Sequence, residues 1–182
     1  TGLRPLEAQL VGISFCLQAG EAFYVPCNGQ LGITRVLQAL KPLFEGGEIG
    51  FFGHNVKYDL HLLANYGIKL GKISFDTIIA SYILNSHHRQ HSLDHLALHH
   101  FEKVKIPIEQ LIGSGKKQIT MDQVPIEKVG EYACEDADYT FRLKELLAPQ
   151  VNSRGLEKVY YDIELPLLPI LAKMERVGIG ID

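Results

Sequence analysis

The segment Ile49-Gly50-Phe51-Phe52-Gly53 is apolar throughout and runs directly into Gly53-His54-Asn55-Val56-Lys57-Tyr58-Asp59-Leu60. A short strand without polar alternation belongs where both faces are covered, at the centre of an α/β sheet. Asn55 stands where an N-cap is expected, and Leu60, Leu63 and Ala64 give the following helix a buried face. Asp59 then lies near the carboxyl end of the strand, where ligands collect in open α/β sheets. A solvated helix carboxylate would read the same way. Asp59 therefore needs a partner before it means anything chemical.

The stretch Val129 to Phe141, V-G-E-Y-A-C-E-D-A-D-Y-T-F, supplies a candidate. Residues four apart on a helix stand one above the other, which sets the Tyr132 phenol beside the Asp136 carboxylate. Ala133 and Ala137 form a parallel ridge of small residues that can lie against something flat. Glu131, Glu135, Asp136 and Asp138 crowd the same helix and make sense if at least one faces a cation.

The remaining chain reads as alternating elements. Leu10–Leu17 and Ala22–Pro26 are strands around a turn at Gln18–Glu21, and Pro26 stands where a strand should stop. Leu31 to Phe44 has helical apolar spacing, with Pro42 near its end. Phe75–Leu84 reads as an extended entry and then a helix capped by Asp76. Lys103 to Asp122 shows little periodicity, and Gly113-Ser114-Gly115 gives it a flexible crossing. Pro125 opens a helix that runs to about Ala148. Gly155 to Val177 forms another amphipathic helix, kinked by Pro166 and Pro169.

Hydrophobic residues make up 46% of the 182 and charged ones 21%, which is ordinary for a globular protein with one sizeable core. No apolar run reaches the ~20 residues of a membrane span. Three cysteines without paired spacing predict no disulfide framework and a reducing cytoplasm. A net charge of −3 argues against a broad basic face for nucleic acid, but carboxylate-built metal sites remain open. His87, His88, His91, His95, His99 and His100 crowd one stretch. With a core face already supplied by Leu93, Leu96, Ala97 and Phe101, they predict a pH-sensitive surface before a zinc site. Thr1 is not Met, and the closing G-I-G-I-D reads as the entry to another element, so a longer parent is expected.

G-H-N-V-K-Y-D-L and, about seventy residues on, Y-A-C-E-D-A-D-Y-T resemble the second and third motifs of the 3′–5′ exonuclease domain of family A DNA polymerases. F-D-T-I-I-A-S-Y-I-L-N, H-S-L-D-H-L-A and G-S-G-K-K-Q-I-T are similar to that family in order and distance. The tail I-E-L-P-L-L-P-I-L-A-K-M-E-R-V-G-I-G-I-D resembles the start of the polymerase domain. The resemblance implies an exonuclease domain over residues 1–150 and the beginning of a helical polymerase domain over 151–182. It implies a ribonuclease H-like mixed sheet, three antiparallel strands extended by parallel ones, with helices on both faces.

The family binds two divalent ions, Mg²⁺ or Mn²⁺, through four carboxylates, and a tyrosine helps place the attacking water. Carried over residue by residue, Asp59 and Asp136 are the metal ligands and Tyr132, Asp59 and Asp136 the catalytic set. Hard cations prefer such oxygen ligands, and a metal pair suits in-line displacement at phosphorus. The family's first motif, Asp-x-Glu on the first strand, would precede Thr1, and Glu7 does not replace it. This predicts a parent that proofreads and a fragment of little or no activity, with two ions in the complete domain and none necessarily held here.

For DNA contact the resemblance points to Leu3, Asn55, Lys116 and Lys117. Ile108 stands where an aromatic stacking residue is common, which should weaken single-strand grip. The expected partners are the single-stranded 3′ end of DNA and a polymerase domain in cis, with no membrane and no oligomer, in the bacterial cytoplasm. Ribonuclease D-like exonucleases share the motifs and would act on RNA, but are not expected to carry the tail. A non-catalytic domain supporting a polymerase is the other alternative.

Overall fold

Gly20 adopts φ +83°, a conformation open to glycine and strained for other residues. It turns the chain between β1 (Gly12–Gln18) and β2 (Glu21–Pro26). These strands pair antiparallel from Gly12↔Pro26 to Gln18↔Glu21, with an irregularity between Cys16 and Gln18. The structure is a computed structural model and describes Gly2 and residues 4–180. α1 (Gly32–Glu45) follows and carries Val36, Leu37 and Phe44 into the core. Next come β3 (Phe51–Gly53), α2 (Val56–Ala64) and β4 (Ile73–Asp76), a strand–helix–strand unit whose strands pair in parallel.

α3 (Thr77–Leu84), α4 (Leu93–Phe101) and the short α5 (Ile108–Ile112) lead to two single 3₁₀ turns, Gly115–Lys117 and Met121–Gln123. The longest element, α6 (Ile126–Ser153), runs on through Pro149. A π-helical stretch, Lys158–Glu164, then meets α7 (Leu165–Val177). Sequence spacing predicts one kinked helix here. The structure has π geometry over Lys158–Glu164 and sets Pro166 in the first turn of α7, where its missing N–H costs least. No described helix is long and apolar enough to cross a membrane.

Of the expected sheet of three antiparallel strands extended by parallel ones, the described residues show parts. The described residues form two separate pairs, β1–β2 antiparallel and β3–β4 parallel. The reason is that no strand ladder joins β1 to β3. Side chains join them instead: Phe44 of α1 stacks on Phe15 of β1 at 6.1 Å and meets Phe51 of β3 at 5.4 Å between ring centres. The coarser expectation, an α/β architecture, stands.

α6 lies across β1, β2 and β3, as its small-residue ridge allows. Glycines make the approach close. A Cβ on Gly12 would come 2.1 Å from the Tyr24 hydroxyl oxygen, and one on Gly130 of α6 would come 3.3 Å from Tyr24 Cδ1. The Tyr24 ring fills the space those two glycines leave.

The largest core cluster joins Val56, Phe75, Ala80, Leu84 and Leu96 to Leu143, Leu147 and Val151 of α6 and to Tyr160, Leu165 and Leu168. The residues after Ser153 thus share a core with α2, β4 and α3. α7 also grips α2 directly. Glu175 pairs with Lys57 and accepts from His61 Nε2 at 2.7 Å, and Arg176 donates to the His61 carbonyl at 3.1 Å.

Candidate active site

The site begins at the junction of β3, β4 and α2. Asp76 ends β4, is wholly buried, and accepts from Ile78 and Ile79 N–H at 2.9 and 3.4 Å, as the cap of α3 should. Its carboxylate also accepts from Asn55 and Val56 N–H at 3.3 and 2.7 Å. One side chain therefore caps two helices. Burial pushes the Asp76 carboxyl up, while these four N–H groups hold it down.

Asn55 is not the side-chain cap that its position suggests. It sits in the left-handed region at φ +67° and makes no cap hydrogen bond. Asp76 takes over because its carboxylate reaches the α2 N-terminus from the neighbouring parallel strand. Asn55 is left exposed at that N-terminus.

Asp59 lies in the first turn of α2, against the end of β3, with its Oδ2 3.8 Å from the Cβ position of Gly53. The surrounding protein pushes its carboxyl up, and the nearby Asp76 charge adds to this. Asp59 itself is exposed to water.

On α6 the four carboxylates are mostly taken by the protein itself. Glu135 accepts from Ile106 N–H at 2.7 Å and pairs with Lys103 at 3.2 Å. Asp138 accepts from Gly20 N–H at 2.6 Å and from Arg142 Nε at 2.9 Å. Asp136 pairs with Lys105, whose ammonium also donates to Asp94 at 2.8 Å and stands 5.4 Å from the centre of the Tyr132 ring. Glu131 is exposed. The cation that the acidic helix calls for is, at Asp136, a lysine.

Electrostatics follow from this packing. Burial opposes charge on Lys105, but Asp136 and Asp94 outweigh it and hold the pKa above the ordinary lysine value. Burial pushes the Asp136 carboxyl up, and the Lys105 charge offsets part of that rise. Tyr132 is pushed up to about 12, by burial first and by Asp136 second. The phenol therefore stays protonated near neutral pH and can donate a hydrogen bond. His54, at the end of β3, is lowered to about 4 by burial and then by Lys105. Lys105 thus faces the β3 end as well as α6.

The structure brings Tyr132 and Asp136 together. It sets Asp59 in a different immediate neighbourhood, with Asp76. Lys116 and Lys117 are exposed in the Gly115–Lys117 turn, which Ile119 N–H closes onto the Ile112 carbonyl at 2.9 Å. Leu3 lies outside the described residues. Ile108 is partly exposed at the start of α5. The histidines pair ring to ring, His95 stacked on His99 at 6.1 Å and His99 edge-on to His100 at 4.7 Å.

Among the described residues, no three His, Cys, Asp or Glu side chains are arranged to hold a metal ion. The donor chemistry at Asp136 nevertheless suits a hard cation. Its Oδ1 is a buried, hard oxygen on which the fold already seats one cation, the Lys105 ammonium. Sequence reasoning missed Lys105, Asp94 and the second role of Asp76. The crowding of carboxylates on α6 was the available signal for a cation, but not for which one.

The family whose model matches residues 1–152 is described as 3′–5′ exonuclease. This chain belongs to that family. Its relatives include the DNA polymerase I of Pseudomonas aeruginosa, 41% identical over 192 residues that cover 100% of this chain and 21% of the relative. The DNA polymerase I of Chloroflexus aurantiacus is 38% identical, covering 100% of this chain and 20% of its own. The chain thus spans about a fifth of the length of the curated relatives it matches. Among solved structures, Brucella melitensis NrnC superimposes with a TM-score of 0.74 at 20% identity, over 97% of this chain and 81% of its own. The POL domain of Pol1 from M. smegmatis, in complex with DNA primer-template and dNTP, gives 0.71 at 21%, over 90% and 25%. At such identities the likeness is one of fold.

Proposed function

We propose that residues 1–150 are the proofreading exonuclease unit of a longer bacterial, cytoplasmic DNA polymerase, and that residues 151–182 open its polymerase domain. The substrate is the single-stranded 3′ end of DNA, whose terminal phosphodiester is hydrolysed. The observation that carries this reading is the Tyr132–Asp136 pair on one face of α6, in a chain whose relatives at 38–41% identity are named DNA polymerase I.

Asp59 and Asp136 would hold divalent metal, Mg²⁺ or Mn²⁺. When bound, two such ions activate water and stabilise the leaving 3′ oxygen. Tyr132 keeps its proton and orients the attacking water by hydrogen bonding. Asp76 fixes the N-terminus of α2 and with it the position of Asp59. Asn55 and the lysines of the Gly115–Lys117 turn would meet the strand, lysine positioning it through phosphate.

Two carboxylates are a sparse metal site, and we infer that this chain by itself cleaves little or not at all. We also infer that the two strand pairs are parts of one ribonuclease H-like mixed sheet, completed by a strand carrying an Asp-x-Glu pair upstream of Thr1. The half-buried state of the wholly apolar β3 supports this. The test is Mg²⁺-dependent degradation of a labelled single-stranded 3′ end by this chain and by one extended upstream. The extended protein should cleave DNA in preference to RNA, and lose cleavage on Asp136→Ala. Robust cleavage by the short chain would overturn the incomplete-site reading, and a preference for RNA would overturn the substrate.

A further inference from the structure

We infer that Lys105 is a resident counter-cation at Asp136, and that a divalent ion reaches this carboxylate only by displacing the lysine. The inference rests on the reading of Asp136 as a metal ligand given above.

Three features of the packing carry it. First, the Lys105 side chain is 2% exposed, and its ammonium lies against Asp136 Oδ1, a buried oxygen. A cation on that oxygen would have to share the place that the ammonium fills. Second, the lysine is delivered deliberately. Glu135, the neighbour of Asp136 on α6, holds Lys103 with one oxygen and Ile106 N–H with the other. The short connection between α4 and α5 is thus fixed on both sides of Lys105. Third, the lysine has somewhere to go. Asp94, its second carboxylate, has a side chain 71% exposed. Swinging toward Asp94 and solvent keeps the ammonium paired, so release does not leave a buried lone charge.

Such an arrangement does two things for the protein. It keeps Asp136 paired and in place when metal is absent, where a buried carboxylate without a partner would be costly. It also sets a threshold, since the ion must outcompete a charge held in place by the fold. A divalent ion has twice the charge of the ammonium and takes several oxygens at once, so it wins when supplied at sufficient concentration. The ring of Tyr132, now facing Lys105, is then free of that cation.

The experiment is a calorimetric titration of Mn²⁺ into the upstream-extended protein as wild type, Lys105→Met and Lys105→Arg. Lys105→Met should bind Mn²⁺ about tenfold or more tighter than wild type, because the competing charge is gone. Lys105→Arg keeps the charge and should stay within about threefold of wild type. A lysine whose role is only to support the fold predicts the opposite sign, weaker binding on its removal. A second measurement uses the wild-type extended protein, so it decides the matter even if a variant fails to fold. In trace reductive methylation read by mass spectrometry, Lys105 should be protected without metal and become reactive with saturating Mn²⁺. Equal or weaker binding by Lys105→Met, or persistent protection of Lys105, would overturn this inference alone. Binding by none of the three proteins would remove the metal reading of Asp136 and this inference together.

Discussion

Tyr160 makes a two-way contact with the backbone of Asp76. Its hydroxyl donates to the Asp76 carbonyl at 2.9 Å and accepts from the Asp76 N–H at 2.6 Å. The ring also packs on Phe75 at 4.8 Å between centres. A residue of the π-helical stretch thus takes the place of a neighbouring strand at the end of β4, directly beneath the carboxylate that caps α2 and α3.

Replacing Tyr160 by Phe keeps the ring and removes the hydroxyl. The Asp76 N–H and C=O are then buried without partners, which should cost about 1–3 kcal/mol. Urea denaturation measures this. A change below about 0.5 kcal/mol would show that the hydroxyl contributes no more than an exposed one.

Asp76→Asn should cost more than Tyr160→Phe. It keeps the shape but turns one acceptor oxygen into a donor facing backbone N–H groups, at two helix starts instead of one. Each lost cap is worth about 1 kcal/mol, with the donor clash adding to that, so about 2–4 kcal/mol is expected. Because both residues hold the same end of β4, the double variant should lose less than the sum. Additive losses in the four-protein cycle would show that cap and strand end act independently.

His54 predicts a pH dependence on the acid side. Its Nδ1 shares a hydrogen bond with Thr77 Oγ1 at 2.8 Å, and its Nε2 is buried without a partner. Its folded pKa of about 4 lies below the unfolded 6.5, so the unfolded state binds the proton first. The contribution to stability is complete above pH 6.5 and is lost as pH falls toward 4. At about 1.36 kcal/mol per pH unit, the loss over that window reaches about 3 kcal/mol. His54→Gln should flatten this part of the profile of urea midpoint against pH, while an unchanged slope would assign it to other groups.

Gly12→Ala tests the close approach of Tyr24. With the new methyl 2.1 Å from the hydroxyl oxygen, the ring must move, at about 1–3 kcal/mol. In a Tyr24→Ala background the same substitution should cost well under half as much. Equal costs in both backgrounds would place the strain in the backbone of β1 instead.

What could be read from the chain itself was local. The hairpin around Gly20, the apolar β3, the Asp76 cap of α3 and the Tyr132–Asp136 pair all depend on neighbours within four residues, and the structure shows each. What escaped depends on partners brought in by the fold. Asp76 reaches Asn55 and Val56 across a parallel strand pair, so Asn55 lacks the capping role that its position predicts. Lys105 looked like any loop lysine, because nothing near it in sequence shows that Glu135 anchors its flanks. The Lys158–Glu164 geometry escaped for a related reason. Two prolines predict a break, but nothing local shows its π form or that Tyr160 within it reaches the Asp76 backbone.

Glu175 has a consequence for how separable the parts of this chain are. Its two carboxylate oxygens engage Lys57 and His61, which flank Asp59 along α2. The helix that presents Asp59 is thus braced from the far end of the sequence. Transplanting the site into another scaffold would require α7 to travel with it. A push on α7 from whatever follows would reach Asp59 through rigid helix, without passing through the sheet.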